Sequence, residues 1–159
     1  MIPALSHQQL RGTCTALSSA SLIRLVSEID DHGAIPVRGL ARTLADLSTR
    51  QIRQAIEQAD ALGLLTRTPG SVGLSAAGRD LADIYDATAR WARRHNYPTP
   101  LCDFAGRIQH TFALLGTPAA GTQDHLDGEH VAELGRIHRL MAEWVHAHQR
   151  NHNTCGVAG

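Results

Sequence analysis

The chain has 159 residues, 43% hydrophobic and 19% charged, enough apolar side chain for a real core and unlike a disordered segment. Fifteen arginines balance fifteen acidic residues and there is no lysine, so the overall charge offers no general attraction for nucleic acid. No run approaches the roughly 20 apolar residues that span a bilayer, and Met1-Ile2-Pro3-Ala4-Leu5-Ser6-His7 lacks the basic start and apolar stretch of a signal peptide, so a cytoplasmic protein with no membrane partner is expected.

The first ten or so residues are weakly patterned and read as a short helix or arm. Leu22, Leu25, Val26 and Ile29 then recur at i, i+3, i+4 and i+7, which predicts a helix over 16–31, closed by Gly33 and kept from continuing by Pro36. Val37, Leu40, Ala41 and Leu44 form the short apolar face of a second helix. Ser48 followed by Gln51 is a capping-box pattern: the serine oxygen accepts the Gln51 N–H while the Gln51 side chain reaches back. Ile52, Ala55, Ile56, Ala59 and Leu62 continue an inner stripe until Gly63. Two short helices joined by a brief turn, the second opened by a serine, have helix-turn-helix spacing.

After Gly63 the texture changes. Leu64-Leu65-Thr66-Arg67-Thr68 reads as a strand, Pro69-Gly70 as a turn and Ser71-Val72-Gly73-Leu74 as the returning strand. Ser75 can cap a further helix with Leu81, Ile84, Tyr85, Thr88 and Trp91 inside, ending near Asn96-Tyr97-Pro98. Thr99-Pro100 reads as the next helix start, with Asp103 complementing the dipole and Leu101, Phe104, Ala105, Ile108, Phe112 and Leu115 as its apolar face. A loop rich in Gly, Ala and Thr leads to Asp124, and the longest helix is predicted from there to His148. Val131, Leu134, His138, Met141 and Val145 form its stripe, widened by Ile137, Leu140 and Trp144, and the tail from Asn151 is polar.

The segment from Leu40 to Gly78 resembles the winged helix-turn-helix of bacterial transcriptional regulators of the MarR and HxlR type. The residues carrying the resemblance are Gly39-Leu40-Ala41-Arg42-Thr43-Leu44, then Ser48-Thr49-Arg50-Gln51-Ile52-Arg53-Gln54-Ala55-Ile56, Ala61-Leu62-Gly63-Leu64-Leu65, and Leu74-Ser75-Ala76-Ala77-Gly78-Arg79. They cover about half the chain. The expected fold class is therefore mostly α: a winged helix-turn-helix over 14–96 with a small β-hairpin wing, and additional C-terminal helices over 97–150 for dimerisation or ligand binding. The resemblance implies a homodimer, which would set two recognition helices about one DNA turn apart.

The residues give a separate reason to expect double-stranded DNA. From Pro36 to Arg79 six arginines face three acidic residues, a local positive excess. With Ile52, Ala55, Ile56 and Ala59 inward, the second helix turns Thr49, Arg50, Arg53 and Gln54 outward near its start, with Gln51 and Glu57 flanking and Ser48 at the cap. Arginine can bond guanine bidentately, glutamine can do the same to adenine, and serine or threonine suits phosphate or base edges. Arg38, Arg42 and Arg67 are expected to meet the backbone. The wing is short, so its insertion into a groove is expected to be weak.

A small-molecule effector is a further expectation from the resemblance, with Trp91, Tyr97, Phe104, Phe112 and Trp144 as candidate walls. The same aromatics at helical spacing also read as plain core. Of the ten histidines, only His148 and His152 have helical i, i+4 spacing near His146, with no carboxylate in register, so no metal is expected. His110 and His138 are expected near the core or lining a cavity. Cys14, Cys102 and Cys155 suggest neither a disulfide framework nor a zinc motif; Cys14 and Cys102 read as buried inert thiols, or as redox sensors by resemblance. No phosphate loop, nucleophile elbow or Cys-His signature is present, so neither an enzyme nor a cofactor is expected. The alternative is a winged-helix protein without DNA binding, acting as a protein-interaction or small-molecule-binding module.

Overall fold

A serine three residues ahead of a glutamine opens the first helix. The Ser6 Oγ accepts the Gln9 N–H at 3.1 Å and Gln9 Oε1 accepts the Ser6 N–H at 3.0 Å, so α1 (His7–Leu17) starts on a capping box. It buries Leu10, Cys14 and Leu17, and thus occupies part of the span predicted to begin the following helix. The chain breaks at Ser18-Ser19, where Ser19 adopts an extended conformation and caps α2 (Ala20–His32). That helix buries the predicted Leu22, Leu25, Val26 and Ile29, and the Gly33 N–H closes it on the Ile29 carbonyl.

The computed structural model describes residues 5–116 and 128–154. It is mostly helical, with one three-stranded antiparallel sheet in the order β1-β3-β2. Strand β1 (Ile35–Pro36) is two residues long and was not predicted; a proline and a two-residue run leave no alternation to read. It pairs Ile35 with Val72 of β3 (Ser71–Leu74), and β3 pairs in turn with β2 (Leu65–Thr68), Leu65 opposite Leu74 and Thr68 opposite Ser71. Gly70, at φ 82°, makes the tight turn between them. A 3-10 turn (Val37–Gly39) leads into the short α3 (Leu40–Thr43), and α4 (Thr49–Ala61) follows. After the hairpin comes α5 (Ala76–Arg94).

The described chain divides into two compact units, Leu17–Asp86 and, flanking it in sequence, residues 1–16 with 87–159. In the first, α2, α4 and β3 pack together, burying Ile23, Ile52, Ala55, Leu64 and Val72 among others. Tyr85 on α5 is fully buried and donates its hydroxyl to the Leu17 carbonyl at 2.7 Å, which satisfies the one polar atom of a large core side chain.

In the second unit, α6 (Phe104–Leu115) starts later than Thr99-Pro100 predicts. Asp103 is not merely a dipole complement but the cap itself, its carboxylate accepting the Gly106 N–H at 2.7 Å. Leu101 is consequently left in the preceding turn at 96% exposed, and Phe104 at 41% exposed, while Ile108, Phe112 and Leu115 are buried as expected. The last helix, α7 (Gly128–Thr154), buries Ile137, Met141, Trp144 and Val145, but Val131 is exposed. It continues through residues 151–154, part of the predicted polar tail; the predicted start at Asp124 lies outside the described residues. Among the described residues no helix is long and apolar enough to cross a membrane.

Candidate nucleic-acid interface

The α3–turn–α4 segment is held from three sides. The predicted capping box at Ser48 forms as read: Ser48 Oγ accepts the Gln51 N–H at 3.1 Å, and Gln51 Oε1 accepts the Ser48 N–H at 2.8 Å. A cap of this kind contributes about 1 kcal/mol. It also commits the Gln51 carbonyl oxygen, leaving its amide N–H groups and the Ser48 hydroxyl proton as the donors available to a ligand. Leu40 and Leu44 are buried beneath the turn, and Ile52, Ala55 and Ala59 anchor α4.

The third tie was not visible in the sequence. Arg24 on α2 donates from Nε and Nη2 to the two oxygens of Asp46, both at 2.9 Å, and from Nη1 to Glu28 at 2.7 Å. This fork fixes the α3–α4 turn to α2. The guanidinium holds the Asp46 carboxyl below its usual range, so the tie is made at neutral pH and is lost only as acid protonates Asp46. Nothing in local periodicity marks two residues so far apart as partners.

Once α4 is anchored, its other face is dictated. Thr49, Arg50, Arg53 and Gln54 are all exposed, as are Ser48 and Gln51. Arg38 in the 3-10 turn and Arg42 on α3 are exposed too. None of Arg38, Arg42, Arg50 and Arg53 is in an ion pair among the described residues. Four uncommitted guanidinium groups therefore lie on α4 and on the segment leading into it. Arg67 on β2 differs: it is exposed, but its guanidinium bonds the Asp60 carboxylate on the last turn of α4. That contact braces the hairpin against the helix and partly spends the charge expected at the wing.

Beside α4 runs an apolar groove of about 350 Å³. Val37, Leu40, Ala41, Ile52 and Ile56 line it, and Thr49 and Arg53 stand among its walls. Val37, expected inside, is 49% exposed because the 3-10 turn rotates it off the face that Leu40 buries. No family model, curated protein or solved structure matches this chain.

The five aromatic candidates lie in the other unit. Trp91, Phe112 and Trp144 are buried, Tyr97 is half-buried and Phe104 is exposed. Trp91 and Tyr97 have ring centroids 5.7 Å apart, and Trp91 also meets His95 at 5.1 Å. Of the five, only Trp91 lines a pocket of about 180 Å³ on α5 and α7; the others do not share that wall. His138 is half-buried, whereas His110 is exposed rather than near the core. Among the described residues no group of three or more His, Cys, Asp and Glu side chains is arranged to hold a metal ion. Burial pushes the Cys14 thiol up to about 11, so it is protonated and a poor nucleophile at neutral pH. Cys102 is half-buried, and Cys155 lies outside the described residues.

Proposed function

We propose that Leu17–Asp86 is a winged helix-turn-helix that reads double-stranded DNA, and that the protein is a homodimeric transcriptional regulator of the MarR or HxlR kind. What carries this reading is the exposure of Thr49, Arg50, Arg53 and Gln54 together on the first turns of a firmly anchored helix. Such a face enters a major groove with its N-terminal residues on base edges. Arg50 and Arg53 take guanine, Gln54 takes adenine, and Thr49, Ser48 and the free amide of Gln51 take base edges or phosphate. Arg38 and Arg42 hold phosphates. The element order of two short helices followed by a hairpin, with a third strand closing the sheet, supports the winged reading. A second copy is supported by exposed Leu101, Phe104 and Val131, apolar side chains outside the DNA-reading unit.

One observation favours the alternative, a module that docks a protein or a small molecule without DNA. Leu17–Asp86 carries seven arginines against nine carboxylates, Arg67 is tied to Asp60, and the groove beside α4 is apolar. A titration of a duplex from the gene's own upstream region at increasing salt separates the two. If two copies together neutralise about four phosphates, log K falls against log salt with a slope of about −4. A slope near zero, or no binding at low salt, favours the docking module.

A further inference from the structure

Two helical stripes in the second unit face one another across the pocket on α5 and α7. On α5 the stripe is Ala87, Arg90, Trp91 and Arg94; on α7 it is Glu133, Arg136, Ile137 and Leu140, each at i, i+3, i+4 and i+7. Arg94 donates to Glu133 at 2.8 Å. Because the lining of α5 lies before that contact and the lining of α7 after it, the stripes run in opposite directions. Arg90 and Arg136 therefore come to the middle of the pocket, with Ala87 and Leu140 at its far end.

The charges there do not cancel. Glu133 is occupied twice, by His95 at 3.1 Å and by Arg94, and the hydrogen bond with His95 first, then the Arg94 charge, hold its carboxyl below the usual range. Arg90 and Arg136 are exposed and make no ion pair among the described residues, which leaves two unmatched positive charges at one site. The same wall contains Trp91, only 3% exposed, whose buried indole N–H has no acceptor among the described residues. A buried donor without a partner is uncommon in a finished core. Half of the lining is apolar, namely Ala87, Trp91, Ile137 and Leu140.

We propose that this pocket binds a small carboxylic acid with an apolar body, the carboxylate between Arg90 and Arg136 and the body against Ile137, Leu140 and the Trp91 ring. Guanidinium groups match a carboxylate in two parallel hydrogen bonds, and apolar walls reject a fully hydrated inorganic ion. At about 180 Å³ the space is below that of a drug-sized ligand. It corresponds to roughly six waters of liquid volume, hence a body of only a few carbons. This site does not depend on the DNA reading.

The test is calorimetric titration of the full chain with hexanoate, hexanamide and inorganic phosphate, alongside the Arg90→Ala/Arg136→Ala double variant. Hexanoate binds, and both the neutral amide and phosphate bind about tenfold more weakly or worse, since hydrogen bonds to a charged group are the stronger kind. The double variant loses about tenfold or more in hexanoate affinity, while Arg139→Ala, exposed on the same helix but outside the pocket, binds as the parent does. The Trp91 indole N–H resonance moves on addition of hexanoate to the parent and stays put in the double variant, which a purely structural role for the arginines does not produce. Equal binding of acid and amide, phosphate binding as tight as hexanoate, retention of hexanoate by the double variant, or no hexanoate binding at all overturns the proposal.

Discussion

Replacing both Arg50 and Arg53 by alanine weakens binding to the cognate duplex by at least about a hundredfold while leaving the fold intact. Each bidentate arginine–guanine contact carries about 1–3 kcal/mol of discrimination, and two are removed from every copy. The fold is spared because both side chains are exposed and make no ion pair among the described residues, and surface changes away from buried partners stay within about 0.5 kcal/mol. Lysine at both positions separates two roles. A lysine keeps the charge but cannot reproduce the planar fork. If the arginines read bases, Arg50→Lys/Arg53→Lys loses sequence discrimination yet keeps non-specific binding; if they only hold phosphates, the lysine variant behaves as the parent. Duplex affinity by fluorescence anisotropy, with thermal unfolding alongside, reads both outcomes.

Gly78→Ala lowers stability, although alanine is the better helix former. Gly78 sits in the first turn of α5, where Ser75 accepts its N–H at 3.1 Å and also donates to the Gly63 carbonyl at 2.6 Å. This double contact draws the helix start onto the chain entering β2. A methyl group at Gly78 overlaps the Leu64 carbonyl oxygen and stands 3.1 Å from Leu74 Cδ2. The obstacle is backbone and cannot rotate away, so an overpacking cost of about 3 kcal/mol is expected, against a propensity gain of about 1 kcal/mol. The net loss of about 2 kcal/mol shifts the unfolding midpoint down by about 4–8 °C. Gly12→Ala supplies the opposite sign: that glycine lies within α1 with nothing within 4 Å of its would-be Cβ. There alanine raises stability by about 1 kcal/mol. Circular dichroism melts of the two variants test the contrast, and a stabilised Gly78→Ala contradicts the close approach of α5 to Leu64.

The same position shows what a sequence can disclose and what it cannot. The run from Leu74 to Arg79 marks Gly78 by resemblance, but the reason for a glycine there is Leu64, fourteen residues earlier in the chain, and no local pattern points to it. Periodicity placed the inner faces of α2, α4 and α5 because each buries one stripe of a regular helix, and the capping box at Ser48 is a contact between neighbours. The outward positions 49, 50, 53 and 54 then follow from geometry, so the exposed side of the candidate interface was legible. Its supports were not. Arg24 with Asp46 and Arg67 with Asp60 are tertiary pairs, and the second takes charge from a wing residue that had been expected to reach phosphate. Two differences are local. Ser6-His7-Gln8-Gln9 carries the same S-x-x-Q pattern as Ser48 to Gln51 and opens α1, where the weak apolar patterning of the first ten residues leaves a short helix or an arm. At α6 two start signals compete, and the Asp103 carboxylate prevails over Thr99-Pro100 because it reaches the Gly106 N–H.

On the proposed reading, a duplex sits on the uncovered side of α4. Amide chemical shifts recorded while the upstream duplex is added address it residue by residue. The largest changes are expected at 48–54, with smaller ones at Arg38 and Arg42 and none in the core positions Ala55 and Ala59 beyond those relayed along the helix. Saturable binding that leaves 48–54 unmoved, with changes confined to α6 or α7, contradicts it.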